Sequence, residues 1–223
     1  MRFLLLFISA LAISRAAQLE TLRFDQAVPG EVPMDWTVAM THAGAPPQWE
    51  IVRDESAPSP PNVLAQLSRD TTAGRFPLAI WKKAMVQDGY VRILFKTVEG
   101  SIDQAAGIVW RYQDPKNYYI VRANALENNV VFYKVEDGVR TSVAPRGLPS
   151  VPTASSTRFR VVVGTTSKSV SKALRLPFSS MRSSYSKPED ATFSKPGKVG
   201  LWTKADSVTY FDDFSVLSKE ARR

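Results

Sequence analysis

The chain contains no cysteine and a single histidine, His42, in 223 residues. Disulfides, thiol nucleophiles, iron–sulfur clusters and cysteine-ligated zinc are therefore excluded. Transition metals are left with almost no soft or imidazole ligand. A serine–histidine–aspartate arrangement would have to use His42, which lies in the Gly/Pro-containing loop Thr41–Gln48, and no Gly-x-Ser-x-Gly elbow accompanies it. A solvated loop histidine is the expected reading. Glycine is sparse, and Gly107 has no companion at dinucleotide-binding spacing. Apart from Phe3–Ile13 no long hydrophobic run occurs, and eleven residues are too few to cross a hydrocarbon core. Helical periodicity is nearly absent as well.

What the N-terminus does have is the grammar of a secretory signal. Met1-Arg2 gives a positive start, Phe3–Ile13 an apolar stretch, and Ser14-Arg15-Ala16 small residues at the two positions read by signal peptidase. Residues 1–16 are expected to be removed, leaving a secreted or periplasmic chain with no membrane span. Residues 17–218 are long enough for one substantial core in a single domain.

The formal net charge of +8 invites a nucleic-acid reading, but its distribution argues against one. Residues 1–16 carry Arg2 and Arg15, leaving +6. Thr165–Lys187 holds Lys168, Lys172, Arg175, Arg182 and Lys187 with no acid, so nearly all of the excess is local. The partner expected is not a nucleic acid.

The rest of the sequence is a succession of short apolar runs parted by turn residues, the pattern of antiparallel strands. Tyr90–Val98 alternates, with Val91, Ile93 and Phe95 on one face and Arg92, Leu94 and Lys96 on the other. Gly107–Tyr112 and Tyr118–Arg122 flank the turn Gln113–Asn117, and Val130–Val135 follows the polar corner Asn124–Asn129. Further strands are expected at Trp36–Met40, Trp49–Arg53, Val63–Leu67, Phe76–Trp81, Arg158–Val163, Val199–Thr203 and Val208–Val216. About a dozen short strands without crossover helices make an all-β, antiparallel double sheet. Thr165–Lys187 breaks this grammar, with eight serines, no glycine and no regular period. Two readings of it stand side by side: a basic loop, or a strand pair rewritten by a compensated pair of frame changes in the gene.

The runs Phe76–Ile80, Asp103–Asn129 and Gly197–Val208 carry a resemblance to a known group. The aromatic-Arg-aromatic-x-Asp pattern at 110–114, the following Asn117-Tyr118-Tyr119 and the run Gly200-Leu201-Trp202-Thr203-Lys204 are its most specific parts. The chain resembles secreted bacterial concanavalin A-like lectin/glucanase domains, near the family named for 3-keto-disaccharide hydrolases. The resemblance covers about residues 20–217, apart from Thr165–Lys187, and implies a concanavalin A-like jelly-roll sandwich of two curved sheets with a concave, ligand-facing side.

Carbohydrate is the partner expected on that side. Trp110, Tyr112 and Tyr119 offer flat faces for sugar rings, and arginines and amides offer donors for vicinal hydroxyls. Strict alternation puts Trp110 and Tyr112 together and Arg111 opposite, and parts Tyr118, Ile120, Arg122 and Asn124 from Tyr119, Val121 and Ala123. The ligand-binding set is read as Arg111, Arg122, Asn124, Asn128, Trp202 and Lys204. A glycosidase needs a pair of carboxyls, and the Glu-x-Asp-x-x-Glu spacing of the laminarinase branch does not occur here. Asp103, Glu127 and Asp206 are the catalytic candidates should the chain hydrolyse a glycoside of the 3-keto type, with Asp114 and the Asp212-Asp213 pair as further acids. No other cofactor is expected than Ca²⁺, for which Asp25 and Asp213 are the candidate oxygen ligands. The function expected is a non-catalytic glycan-binding module. The alternatives are that hydrolase, or an envelope protein without a small ligand.

Overall fold

A computed structural model describes residues 18–143, 148–149, 158–166, 169–175 and 190–219. The expected signal segment 1–16 lies outside them. The described residues form fifteen strands in two antiparallel sheets and no helix. They are β1 (Gln18–Leu22), β2 (Trp36–Thr41), β3 (Trp49–Arg53), β4 (Asn62–Gln66), β5 (Phe76–Val86), β6 (Asp88–Glu99), β7 (Ala105–Asp114), β8 (Asn117–Asn124), β9 (Asn129–Glu136), β10 (Val139–Ser142), β11 (Leu148–Pro149), β12 (Arg158–Thr166), β13 (Ser169–Arg175), β14 (Gly197–Thr203) and β15 (Val208–Lys219). One sheet runs β13-β12-β6-β15-β4-β3, with β1 also on β15. The other runs β10-β9-β8-β7-β14-β5-β2, with β11 also on β9. This is the antiparallel double sheet that the spacing of apolar runs indicates and the jelly-roll sandwich that the resemblance implies.

Alternation explains where the first core lies. Val91, Ile93 and Phe95 of β6 and Phe211, Phe214 and Val216 of β15 meet Trp81, Ile108, Trp110, Tyr119, Val121, Phe132 and Leu201 of the facing sheet. Trp110 packs 5.2 Å from Phe132 and 5.5 Å from Tyr119, ring to ring. Such aromatic pairs add about 1 kcal/mol each beyond the area they bury.

The second sheet has another buried face. Phe76, Leu78, Ile80, Val109, Tyr118, Ile120, Val135 and Trp202 sit on the side turned away from the first core and are themselves buried. An open flat sheet would leave them in water. Thr41 Oγ1 of β2 nevertheless lies 2.7 Å from the Tyr118 hydroxyl of β8. Those strands are four steps apart in the sheet, about 19 Å if it were flat. The sheet therefore curls until its β2 edge meets the β7–β8 turn, where Thr41 Oγ1 also donates to Pro115 O at 2.5 Å. The side turned away from the sandwich core is concave, and its middle is filled by the second apolar cluster.

Two sequence expectations change. Ser169–Arg175 pairs with β12 from Arg160↔Arg175 to Thr166↔Ser169, so part of the serine-rich stretch supplies an edge strand. Residues 176–187 lie outside the described set. Strict alternation also fails at Arg111, whose φ of 47° and register shift after Trp110 form a bulge. Trp110 consequently enters the inter-sheet core, while Tyr112 packs against the second cluster on the opposite face.

Candidate functional site

At one end of the concave face the apolar filling gives way to charge. The cross-strand register builds this place. Trp202, Gly107 and Arg122 lie side by side on β14, β7 and β8, so the two large side chains flank a residue that has none. Ala105 is paired with Asn124 one step further along that face, again a small residue beside a polar one.

Two loops bring in the remaining groups. The Asp206 carboxylate accepts from Ser101 N at 2.7 Å, Ser101 Oγ at 2.8 Å, and the amides of Ile102 and Asp103 at 3.1 and 3.0 Å. Burial opposes its charge, but these donors hold its pKa below the usual carboxylate value. Ser207 Oγ donates to Lys204 O at 2.6 Å and accepts from Ala105 N at 3.0 Å. Arg75, wholly buried, donates to the carbonyls of Ala45, Pro46 and Ala205, tying the 204–206 turn to the loop after β2.

So held, Asp103 stands between Asn124 Nδ2 and Lys204 Nζ, both at 2.5 Å. Beside it Arg122 gives Nη1 to Glu127 Oε2 at 2.8 Å and Nη2 to the Tyr133 hydroxyl at 2.9 Å. Burial raises the Glu127 pKa, yet the bond and charge of Arg122 outweigh it and the net shift is downward. Arg140 of β10 reaches over the floor, its guanidinium 4.5 Å from the Tyr133 ring, 5.0 Å from Phe76 and 5.9 Å from Trp202. Asp103, Arg122, Asn124 and Trp202 are buried, and the accessible rim is Glu127, Tyr133, Lys204 and Arg140.

The structure thus gathers Arg122, Asn124, Trp202 and Lys204 of the expected binding set, together with Asp103 and Glu127 of the candidate acids. It places the others elsewhere. Arg111 is a strut at the far end of the sandwich, donating to Gln87 O and Phe193 O and lying 3.5 Å from Asp88. Asn128 is exposed at the β8–β9 corner, where its φ of 51° makes the turn. Asp206 is fully engaged in bracing the 101–103 loop. Trp110 and Tyr119 are interior, at 1% and 0% exposure, and offer no face to a sugar. Tyr133 and Arg140 are the residues that sequence reasoning passes over. Tyr133 shares the parity of Val131 and Val135 and was legible as a concave-face residue, whereas Arg140 belongs to a four-residue strand with no period to read.

Asp25 and Asp213 lie on the other side of the molecule, around Asp212. Asp213 accepts from Ser59 Oγ at 2.9 Å and faces Arg23 at 3.5 Å, while Asp25 Oδ1 is buried without a hydrogen-bond partner. Among the described residues no group of three or more His, Asp or Glu is arranged to hold a metal. Burial pushes the Asp212 pKa from 3.8 up to about 6, the amides of Ser59 and Asp213 oppose this, and the charges of Asp213 and Asp25 add to it. A carboxyl with a folded pKa above its unfolded one contributes most below the unfolded value, and that contribution is lost as pH rises through the folded one. The unfolding transition should therefore fall between pH 4 and pH 6, by no more than about 3 kcal/mol from this group. Asp212→Asn should flatten the profile of melting temperature against pH in that window, and an unchanged slope would remove Asp212 as its source.

No family model matches the chain, and no curated protein does. Solved structures share its fold. A carbohydrate-binding module of Bacillus subtilis superposes with a TM-score of 0.59 at 17% identity, over 84% of this chain and 96% of that one. A xylan β-1,4-xylosidase of Bacillus halodurans superposes with a TM-score of 0.60 at 13% identity, over 95% of this chain but 41% of that one. The exoplasmic/lumenal domain of VIP36, in a form bound to Ca²⁺ and Man3GlcNAc, gives 0.55 at 8% identity, over 86% and 87%.

Proposed function

We propose that this protein is an exported carbohydrate-binding module whose sugar site is the polar end of the concave face. The observation that carries the reading is the network Asp103–Asn124–Lys204 and Arg122–Glu127–Tyr133, anchored on the buried Asp103, Arg122 and Asn124 and open at the rim. It holds donors, acceptors and one aromatic ring in fixed positions at a rim, the arrangement that hydroxyl-rich ligands require. Likeness of fold to a carbohydrate-binding module and to a sugar-bound lumenal domain supports it. The Met1–Ala16 pattern supports export.

A glycoside hydrolase of the 3-keto type is the second reading, favoured by the presence of Asp103 and Glu127 in one cluster. Hydrolysis needs a carboxylic acid kept protonated near neutral pH beside a second, ionised one. Glu127 is shifted the wrong way for that acid, and the carboxyl raised among the described residues, Asp212, belongs to the opposite sheet. Binding is therefore the reading we adopt. A Ca²⁺ ion at Asp25 and Asp213 would act on stability and not on sugar contact. The test is thermal unfolding against a panel of oligosaccharides, with product analysis on each hit. An upward shift without released sugar is expected, because a ligand that binds the folded state raises the transition by mass action. A sharp transition that no glycan moves would overturn the proposal.

A further inference from the structure

Charges at the rim do not cancel. Lys204 is matched by Asp103 and Arg122 by Glu127, both as close ion pairs. Arg140 has no carboxylate within ion-pair distance among the described residues, and its Nη1 is buried without a hydrogen-bond partner. Its pKa is lowered, first by burial; Tyr133 opposes this, the charge of Arg122 adds to it, and Asp103 and Glu127 oppose it. Three aromatic rings surround the guanidinium, their centroids 4.5, 5.0 and 5.9 Å from its carbon. It is a planar cation, packed among aromatic rings and partly desolvated, next to the residues proposed to hold a sugar.

We infer that the ligand is an acidic glycan, and that Arg140 receives the carboxylate of a uronic acid residue. The inference rests on the proposed sugar site. A guanidinium presents parallel N–H donors whose spacing matches a carboxylate, and a desolvated cation gains more from an anion than an exposed one does. A neutral sugar would leave the local excess of one positive charge standing. The bound uronate removes it, while Lys204, Glu127 and Tyr133 remain for the neighbouring hydroxyls.

The test is calorimetric titration of the full chain with oligogalacturonate and oligoglucuronate. Neutral galacto- and gluco-oligosaccharides of the same length and linkage, and a sulfated oligosaccharide, provide the comparison. Uronates are expected to bind at least tenfold tighter than their neutral counterparts at low salt, with the advantage shrinking as NaCl is raised. Arg140→Gln should abolish the preference. If that variant does not fold, Arg140→Lys keeps the charge without the planar fork and should lose most of the preference, and the wild-type ratio decides by itself. Neutral sugars binding as tightly as uronates would overturn the acidic class and leave the sugar site intact. Tighter binding of the sulfated ligand would overturn the carboxylate assignment. No binding of any of them by a protein that melts sharply would overturn the sugar site itself.

Discussion

Gly100→Ala is expected to destabilise the protein by about 3 kcal/mol or more, and to dismantle the rim with it. Gly100 has φ +149°, a backbone region that L side chains rarely adopt, and a Cβ there would lie within bonding range of Asp103 O. The obstacle is backbone, so no side-chain rotation relieves it. Relief requires the 100–104 loop to shift, which pulls the amides of Ser101, Ile102 and Asp103 off the Asp206 carboxylate. Each charge-assisted bond of this kind contributes about 1.5–3 kcal/mol, and its buried donors would be left unsatisfied. Gly74→Ala is the control, since a Cβ there meets nothing within 4 Å and Gly74 is not in the positive-φ region. Urea unfolding should separate the two variants by several kcal/mol, and equal midpoints would show that the loop is not braced as described.

Arg122→Met should weaken oligosaccharide binding tenfold to a hundredfold while leaving a folded protein. That range corresponds to about 1.4–2.8 kcal/mol, the worth of one or two hydrogen bonds to a charged group. Methionine retains the buried stem that packs beside Trp202 and loses only the head. The head orients Glu127 and the Tyr133 hydroxyl, so its loss frees two rim groups at once. Glu127 is already exposed and can hydrate, which limits the cost to stability. Unaltered affinity in a variant with a wild-type melt would take Arg122 out of the site.

The strands and their buried faces were foreshadowed wherever a run was long enough to show its period. Tyr90–Val98 and Tyr118–Asn124 place their side chains as alternation requires, because each is buried on a definite face. Trp110–Tyr112 does not, since a left-handed residue in mid-strand resets parity and arginine gives no notice of it in the way a glycine would. Ser169–Arg175 leaves loop and altered strand pair side by side because neither composition nor turn chemistry marks a strand, and its pairing with β12 is a non-local fact. The site divides similarly. Arg122 and Asn124 share a face by local arithmetic, and the 204–206 turn carries Lys204 to them. Arg140 joins them only because the sheet curls far enough to bring β10 over β14 and β5, and no window of the sequence encodes that curvature. Asp206 looks like a candidate acid until the loop is folded around it.

The central claim is that sugar binds the concave face. The measurement that tests it most directly is a crystal structure of the protein with an oligosaccharide that raises its melting temperature. The account predicts a sugar ring at Tyr133 with its polar groups on Lys204, Glu127 and Arg140. A sugar bound instead on the outer face of the opposite sheet, in the shallow groove of Leu19, Tyr90, Arg92 and Leu217, would contradict it.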